Sequence, residues 1–333
     1  MRPFDYHRAR TIDDALNAFQ DSGRAHYLAG GTTLIDLVKL DVMRPTQVVD
    51  ICRLPLERIE RTSDGGLRIE ANARNSDIAW SEEVKRDYPA LSEAILSGAS
   101  PQLRNMATAA GNLMQRTRCP YFRDNYSPCN KREPKSGCAA MDGYNRMHAV
   151  LGGSASCIAT HPSDMCVALA IFDATVQVSG EDGEREIPFA NFHLLPGDLP
   201  DQEHALHNGE LITAISLAPP PKDAVSLYLK SRDRESYEFA LASVAALVAL
   251  RDGKIAEARI GLGGLATKPW RAAEAEAVLV GQAPNGELFE SAADIALKDA
   301  NGREGNRFKI PLARRLIQEA LSEAVRRSEE AKR

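Results

Sequence analysis

Five of the six cysteines in this 333-residue chain, Cys119, Cys129, Cys138, Cys157 and Cys166, fall within 48 residues, and only Cys52 lies outside. The same stretch carries Pro120, Pro128, Pro134, Gly137, Gly143, Gly152 and Gly153, so it reads as loop and cannot raise a hydrophobic core of its own. A loop this long in a compact domain usually carries function or is disordered, and thiolates could organise it. A secreted disulfide framework is small and cysteine-dense throughout. Crowding inside an otherwise cysteine-poor chain favours a metal or cluster site instead. The spacing C-x9-C-x8-C-x18-C matches neither the paired C-x2-C of a zinc ribbon nor the tight ferredoxin run. Spacing alone leaves zinc, an iron–sulfur cluster and unligated thiols all open.

The rest of the composition excludes several classes. With 44% hydrophobic and 26% charged residues, the chain is an ordinary globular one, long enough for two or three cores. Its net charge of −5 and lack of a dense basic block argue against nucleic-acid or anionic-membrane binding. No apolar run reaches the roughly 18–20 residues of a membrane span. Residues 1–10 have charges but no apolar centre, so no signal peptide is expected. Folding in the cytoplasm is expected, with a periplasmic destination open if a signal-bearing partner carries the folded chain out.

Apolar patterning gives an α+β fold in three parts. Residues 1–55 read as a small α/β unit: a helix capped by Thr11, a strand at 26–29, a helix at 32–40 and a strand at 47–51. Residues 56–220 hold two hairpins, at 59–71 around Asp64-Gly65-Gly66 and at 175–187 around 180–183. Helices are expected after Asn75-Ser76 and at 91–97, and a strand at 210–217. Pro219-Pro220-Pro221 marks the boundary to residues 221–333, a C-terminal α+β unit. That unit has strands at 226–230 and 255–262, an apolar run at 239–250, and helices at 272–279, 288–297 and 311–327.

Three motifs stand out. Gly30-Gly31-Thr32-Thr33, between a strand and a helix, could cradle a phosphate with backbone N–H groups and the helix N-terminus; taken alone, such a pair is more often a plain turn. Neither G-x-G-x-x-G nor a P-loop occurs. The small-residue run from Leu103 to Gly111-Asn112 suits a backbone pressed against a ligand, or else a helix that stops at Gly111. Ser163-Asp164 opens an apolar stretch, as an N-cap or as a carboxylate for sugar hydroxyls.

In this order, Leu28-Ala29-Gly30-Gly31-Thr32, Arg104-Asn105 through Ala110-Gly111-Asn112, and Ser163-Asp164 resemble the FAD-binding subunit of the xanthine dehydrogenase family. The segments 210–215, Tyr228-Leu229-Lys230 and 237–246 agree with its C-terminal portion. The resemblance implies a two-part FAD-binding domain of the vanillyl-alcohol-oxidase/PCMH type, followed by a domain like that of the CO dehydrogenase flavoprotein. It places Leu28, Ala29, Gly30, Gly31, Thr32, Thr33 and Leu34 around the FAD pyrophosphate, with Thr108, Gly111 and Asn112 along the same cofactor. Asp164 would face its ribitol or ribose, and Lys230 would lie near the isoalloxazine.

Many family members have only a short link where this chain separates Asn112 from Asp164 by 52 positions. The insertion, about 113–162, resembles that of the FAD and [4Fe–4S] subunits of bacterial aldehyde oxidoreductases, and of the medium subunit of 4-hydroxybenzoyl-CoA reductase. That likeness assigns Cys119, Cys129, Cys138 and Cys157 as ligands of a [4Fe–4S] cluster. It leaves Cys52 and Cys166 structural, and His148 and His161 structural or adjacent to the ligands. No catalytic residue set is expected, because the cofactors carry the chemistry. Implied partners are a large molybdenum-cofactor subunit, a small subunit with [2Fe–2S] clusters and an external electron acceptor. The implied substrate is an aldehyde. Alternatives are a reductase acting on an acyl-CoA thioester, a self-sufficient FAD oxidase, which lacks a convincing base here, and a zinc-stabilised scaffold without flavin.

Overall fold

The computed structural model describes residues 1–19 and 24–331, so the last two residues of the C-terminal span fall outside it. Three sheets organise the chain. The first is parallel, with β1 (Asp5–Arg8), β2 (Ala25–Leu28) and β3 (Gln47–Asp50) in the order β1-β3-β2. Strand β3 is central and wholly buried. The helices Ile12–Ala18, capped by the Thr11 hydroxyl, and Leu34–Lys39 make the connections. Strand β1 had no sequence signal, because its burial pattern is mostly exposed; backbone pairing to β3 makes it a strand.

The second sheet is antiparallel. It comprises β4 (Ile59–Arg61), β5 (Leu67–Glu70), β6 (Thr175–Gly180), β7 (Gly183–Pro188) and β8 (Leu211–Leu217), ordered β4-β5-β8-β6-β7. Both hairpins form, and β8 joins them along the middle. Between β5 and β6 run the helices Asn75–Trp80 and Pro89–Ser97, the cysteine segment and the helix Asp164–Ile171. Asn75 lies inside its helix and is buried, with Arg74 at the cap position and no side-chain cap bond.

The third sheet, ordered β12-β11-β10-β9, contains β9 (Ala224–Ser231), β10 (Ala242–Arg251), β11 (Lys254–Gly263) and β12 (Trp270–Arg271). The helices Ala273–Leu279, Gly286–Ala296 and Lys309–Glu330 pack against it and each other. The last helix outruns its expected span at both ends. The apolar run of β10 is explained by two-sided burial. Alternate side chains of a strand point to opposite faces. Accordingly Val244, Ala246 and Val248 join the core under the C-terminal helices, while Ala245 and Leu247 join the core of the preceding domain.

The seam between those cores is the helix Asp164–Ile171. It lies against β11 where Gly261 and Gly263 leave room: a Cβ at Gly261 would sit 2.6 Å from the Val167 carbonyl oxygen, and one at Gly263 would collide with the Val167 side chain. Arg259 and Arg271 then donate to the carbonyls of Ile171 (3.0 Å) and Ala170 (2.8 Å), satisfying groups that a helix end leaves free. Gly261→Ala is expected to overpack this seam and cost about 1–3 kcal/mol, read as a lower urea midpoint of unfolding. An unchanged midpoint would show that the helix can shift away freely.

Candidate functional site

The loop after β2 is shaped by its glycines. Gly31 has φ +72°, a conformation that costs glycine nothing. A Cβ on Gly30 would collide with the Met106 carbonyl oxygen and stand 3.2 Å from Ala107 Cα. The loop therefore presses on the 106–107 backbone, just before the helix Ala109–Leu113. Thr108 caps that helix, its Oγ1 accepting from Gly111 N at 3.2 Å. Gly111 is thus inside a helix and is not a stop. Leu28 ends β2, Ala29, Thr32 and Thr33 are partly buried, and the helix begins at Leu34, two residues later than the pattern suggested. Below the loop, the Cys52 thiol donates to the Ala29 carbonyl at 2.9 Å.

The second and third motifs meet through a side-chain bond. Ser163 Oγ donates to Asn112 Oδ1 at 2.6 Å and accepts from Cys166 N at 3.0 Å, capping the helix Asp164–Ile171. Asp164 follows, nearly buried. One of its carboxylate oxygens accepts from the Tyr228 hydroxyl and the other from Lys230 Nζ at 2.7 Å. Lys230 also donates to the Ser97 carbonyl at 3.1 Å, and its side chain is 3% exposed. It is not a solvated strand-end lysine. Burial and the adjacent Asp164 carboxylate push the Tyr228 phenol well above its ordinary range. Sequence reasoning did not single out Tyr228 as a partner of Asp164. Beside Asp164 opens a cavity of about 170 Å³, whose walls include Arg118, Cys119, His148, His161, Ser163 and Phe239.

A second recess is lined by all four cysteines of the insertion, Cys119, Cys129, Cys138 and Cys157, together with apolar Phe122, Pro128, Ala140 and Ala159. Cys129 and Cys138 oppose one another across an isolated antiparallel bridge. Cys119 belongs to the walls of both recesses. His148 Nε2 lies 3.1 Å from Cys119 Sγ, and Ala159 N donates to Cys157 Sγ at 3.4 Å. Burial pushes the Cys119 thiol up to about 12 and the Cys157 thiol to about 11; a bound cation reverses that preference, because it stabilises the thiolate.

Arginines take the place of a core in this segment. Arg132 donates to the carbonyls of Tyr121 (2.6 Å), Phe122 (2.9 Å) and Ser127. Arg123 pairs with Asp36 at 2.8 Å, and Arg118 reaches Asp36 and Thr33 Oγ1, both at 3.5 Å. Leu37, Phe122 and Cys129 form a small apolar cluster of their own. The segment is thereby fastened to the helix that follows the glycine loop. None of these arginines was picked out from sequence, although their density among the cysteines was visible there.

Comparison with known proteins decides the family. The description "FAD binding domain in molybdopterin dehydrogenase" matches residues 2–220, and "CO dehydrogenase flavoprotein C-terminal domain" matches residues 227–324. The chain belongs to the FAD-binding subunits of the molybdenum hydroxylases. As a member of that family it is an FAD-binding oxidoreductase subunit, with the mixed α+β fold of its relatives. It is 50% identical over 327 residues to the aldehyde oxidoreductase FAD-binding subunit of Escherichia coli K12, covering 97% of this chain and 99% of that one. It is 28% identical to the xanthine dehydrogenase FAD-binding subunit of Escherichia coli O157:H7, covering 96% and 95%. Among solved structures, carbon monoxide dehydrogenase from Hydrogenophaga pseudoflava superposes with a TM-score of 0.76 at 24% identity, covering 98% of both chains, a likeness of fold. No helix among the described residues is long and apolar enough to cross a membrane.

Two substitutions probe this geometry. Gly30→Ala is expected to push the loop off the 106–107 backbone and to lower flavin per chain, read from visible absorbance; full flavin content would show the contact to be dispensable. Lys230→Met leaves the Asp164 carboxylate buried without its cation and is expected to cost about 3–5 kcal/mol of stability, measured by denaturant unfolding. A loss under 1 kcal/mol would mean that water replaces the ammonium.

Proposed function

We propose that this chain is the electron-transfer subunit of a heteromeric molybdenum-containing aldehyde oxidoreductase. Electrons taken from an aldehyde on a large molybdenum-cofactor subunit would cross the [2Fe–2S] clusters of a small subunit, reach FAD on this chain and leave to an external acceptor. The aldehyde rests on the E. coli relative at 50% identity, whose name states that substrate class.

Bound FAD supplies a centre that accepts electrons singly and releases them in pairs. The chain's own residues would hold and insulate it. Backbone N–H groups at Gly30, Gly31, Thr32 and Thr33, where a helix begins, suit the pyrophosphate, with Leu28, Ala29 and Leu34 flanking it. Thr108, Gly111 and Asn112 line the neighbouring backbone. Arg118, weakly paired and close to Thr33, adds positive charge on that side. Asp164, oriented by Tyr228 and Lys230, presents a fixed carboxylate beside the cavity.

The further assignment is a [4Fe–4S] cluster on Cys119, Cys129, Cys138 and Cys157. The observation that carries it is that these four thiols line one recess with apolar walls. Four cysteine thiolates are the usual ligand set of such a cluster. The contacts of His148 and Ala159 to the sulfurs are of the kind that raise cluster potentials. The same context weighs against zinc, which has no redox chemistry.

The test is iron, sulfide and flavin content of the anaerobically purified complex. About four irons and four sulfides per chain are expected, beyond those of the small subunit, together with one FAD. Cys138→Ser is expected to remove that iron and its visible absorption while flavin stays. Zinc in the recess, or no metal there, would remove the cluster and leave the flavin assignment standing. Absence of flavin from the folded, assembled complex would sink the whole reading.

A further inference from the structure

Arg118 stands one residue before Cys119 and reaches across from the cysteine segment to the glycine loop. It lines the cavity beside Asp164. Its guanidinium carbon lies over the ring of Phe239, 5.4 Å from the centroid, on the connection between β9 and β10. Its hydrogen bonds are few and long. Nη1 reaches Asp36 Oδ2 and Nη2 reaches Thr33 Oγ1, both at 3.5 Å, where N–H···O bonds usually measure about 2.9 Å. Nε is buried and has no hydrogen-bond partner.

The charges around it do not balance. Arg123 holds the same Asp36 carboxylate at 2.8 and 3.0 Å, so two guanidinium groups share one carboxylate and Arg118 has the weaker hold. The carboxylates on the cavity wall are matched one to one: Asp164 pairs with Lys230 at 2.7 Å and Glu238 with Arg234 at 3.4 Å. One positive charge is left over on the wall. A largely enclosed cation with unspent donors is costly until an anion completes it. The planar guanidinium fork suits a phosphate or two acceptors on one edge of a group.

We infer that Arg118 is a direct ligand of the flavin cofactor, its guanidinium binding a negatively charged part of FAD, so that the cysteine segment forms one wall of the flavin site. The inference rests on the FAD assignment of the glycine loop and its neighbouring cavity. Two parts of the cofactor carry such charge. The diphosphate is anionic in every redox state, and Thr33, at 3.5 Å from Arg118, belongs to the loop proposed to hold it. The ring becomes anionic when it takes up two electrons and one proton. Either source gives Arg118 the partner that Asp36 supplies only in part, and Asp36 then competes with the cofactor for the guanidinium.

The experiment compares the assembled complex with its Arg118→Met, Arg118→Lys and Asp36→Asn forms. Flavin is removed and titrated back as FAD, and the midpoint potential of the bound flavin is measured. If the guanidinium meets the diphosphate, Arg118→Met weakens binding of oxidised FAD at least tenfold and leaves the potential in place. If it meets the ring, the reduced form loses at least tenfold relative to the oxidised one, a fall of about 30 mV for a two-electron couple. Arg118→Lys keeps the charge without the fork and is expected to recover part of either loss. Asp36→Asn removes the competitor and is expected to move the same quantity in the opposite direction, which a merely structural Arg118–Asp36 contact would not do. A structure of the unmodified, flavin-loaded complex needs no variant to fold, and is expected to place an Arg118 nitrogen within about 3 Å of a cofactor acceptor atom. Unchanged affinity and potential in a folded Arg118→Met complex, or an Arg118 that touches no cofactor atom, would overturn the inference and leave the flavin assignment intact. Absence of flavin from the unmodified complex would remove that assignment itself.

Discussion

The helix Asp164–Ile171 can lie against β11 only because Gly261 and Gly263 give that strand face no side chains. Much else depends on this approach. It carries Asp164 to the third sheet, where Tyr228 and Lys230 on β9 meet its carboxylate. It places Ser163 against Asn112, so that the second and third sequence motifs share one hydrogen bond. It also puts Cys166 in the core, within reach of both histidines. The dispersion and burial energy of the seam is shared between two domains, so the site between them is a product of packing and not of any one loop.

The cysteine segment is built on other terms. It has almost no apolar core, and its single named helix is Pro120–Arg123. What fixes it is charge paired inside the protein. Burial pulls the Glu203 carboxyl upward, yet Arg116 and Lys131 hold it below the ordinary carboxylate range. Arg132 gathers carbonyls that no helix or sheet would satisfy. Such networks are costly when incomplete, which makes the segment's geometry specific although its sequence looks like loop.

Much of the framework was legible because local chemistry and global packing agree there. Asp64-Gly65-Gly66 makes its hairpin, Thr11 caps its helix, and the long apolar run of 239–250 is the strand with two buried faces. Strand β1 was hidden, because a mostly exposed strand paired on one side carries no apolar alternation. The meaning of Gly261 and Gly263 was hidden for a different reason: a glycine that admits a neighbour from a distant segment looks like any other glycine until that neighbour is known. The same holds for the site. The glycine loop and the four cysteines announce themselves as motifs, whereas Tyr228, Arg118 and the pairing of His161 with His193 depend on contacts between residues far apart in the chain.

The last helix reaches back across the molecule. Lys309, with no exposed surface, donates to the carbonyls of His148 (3.1 Å) and Gly264 (2.7 Å), and Asn306 donates to those of His148 and Ala149 (both 3.2 Å). The histidine beside Cys119 is therefore seated by Asn306 and Lys309, residues 158 and 161 positions further along the chain. A disturbance at the start of the last helix would therefore be felt beside Cys119, through a contact that nothing local to the cysteine segment provides.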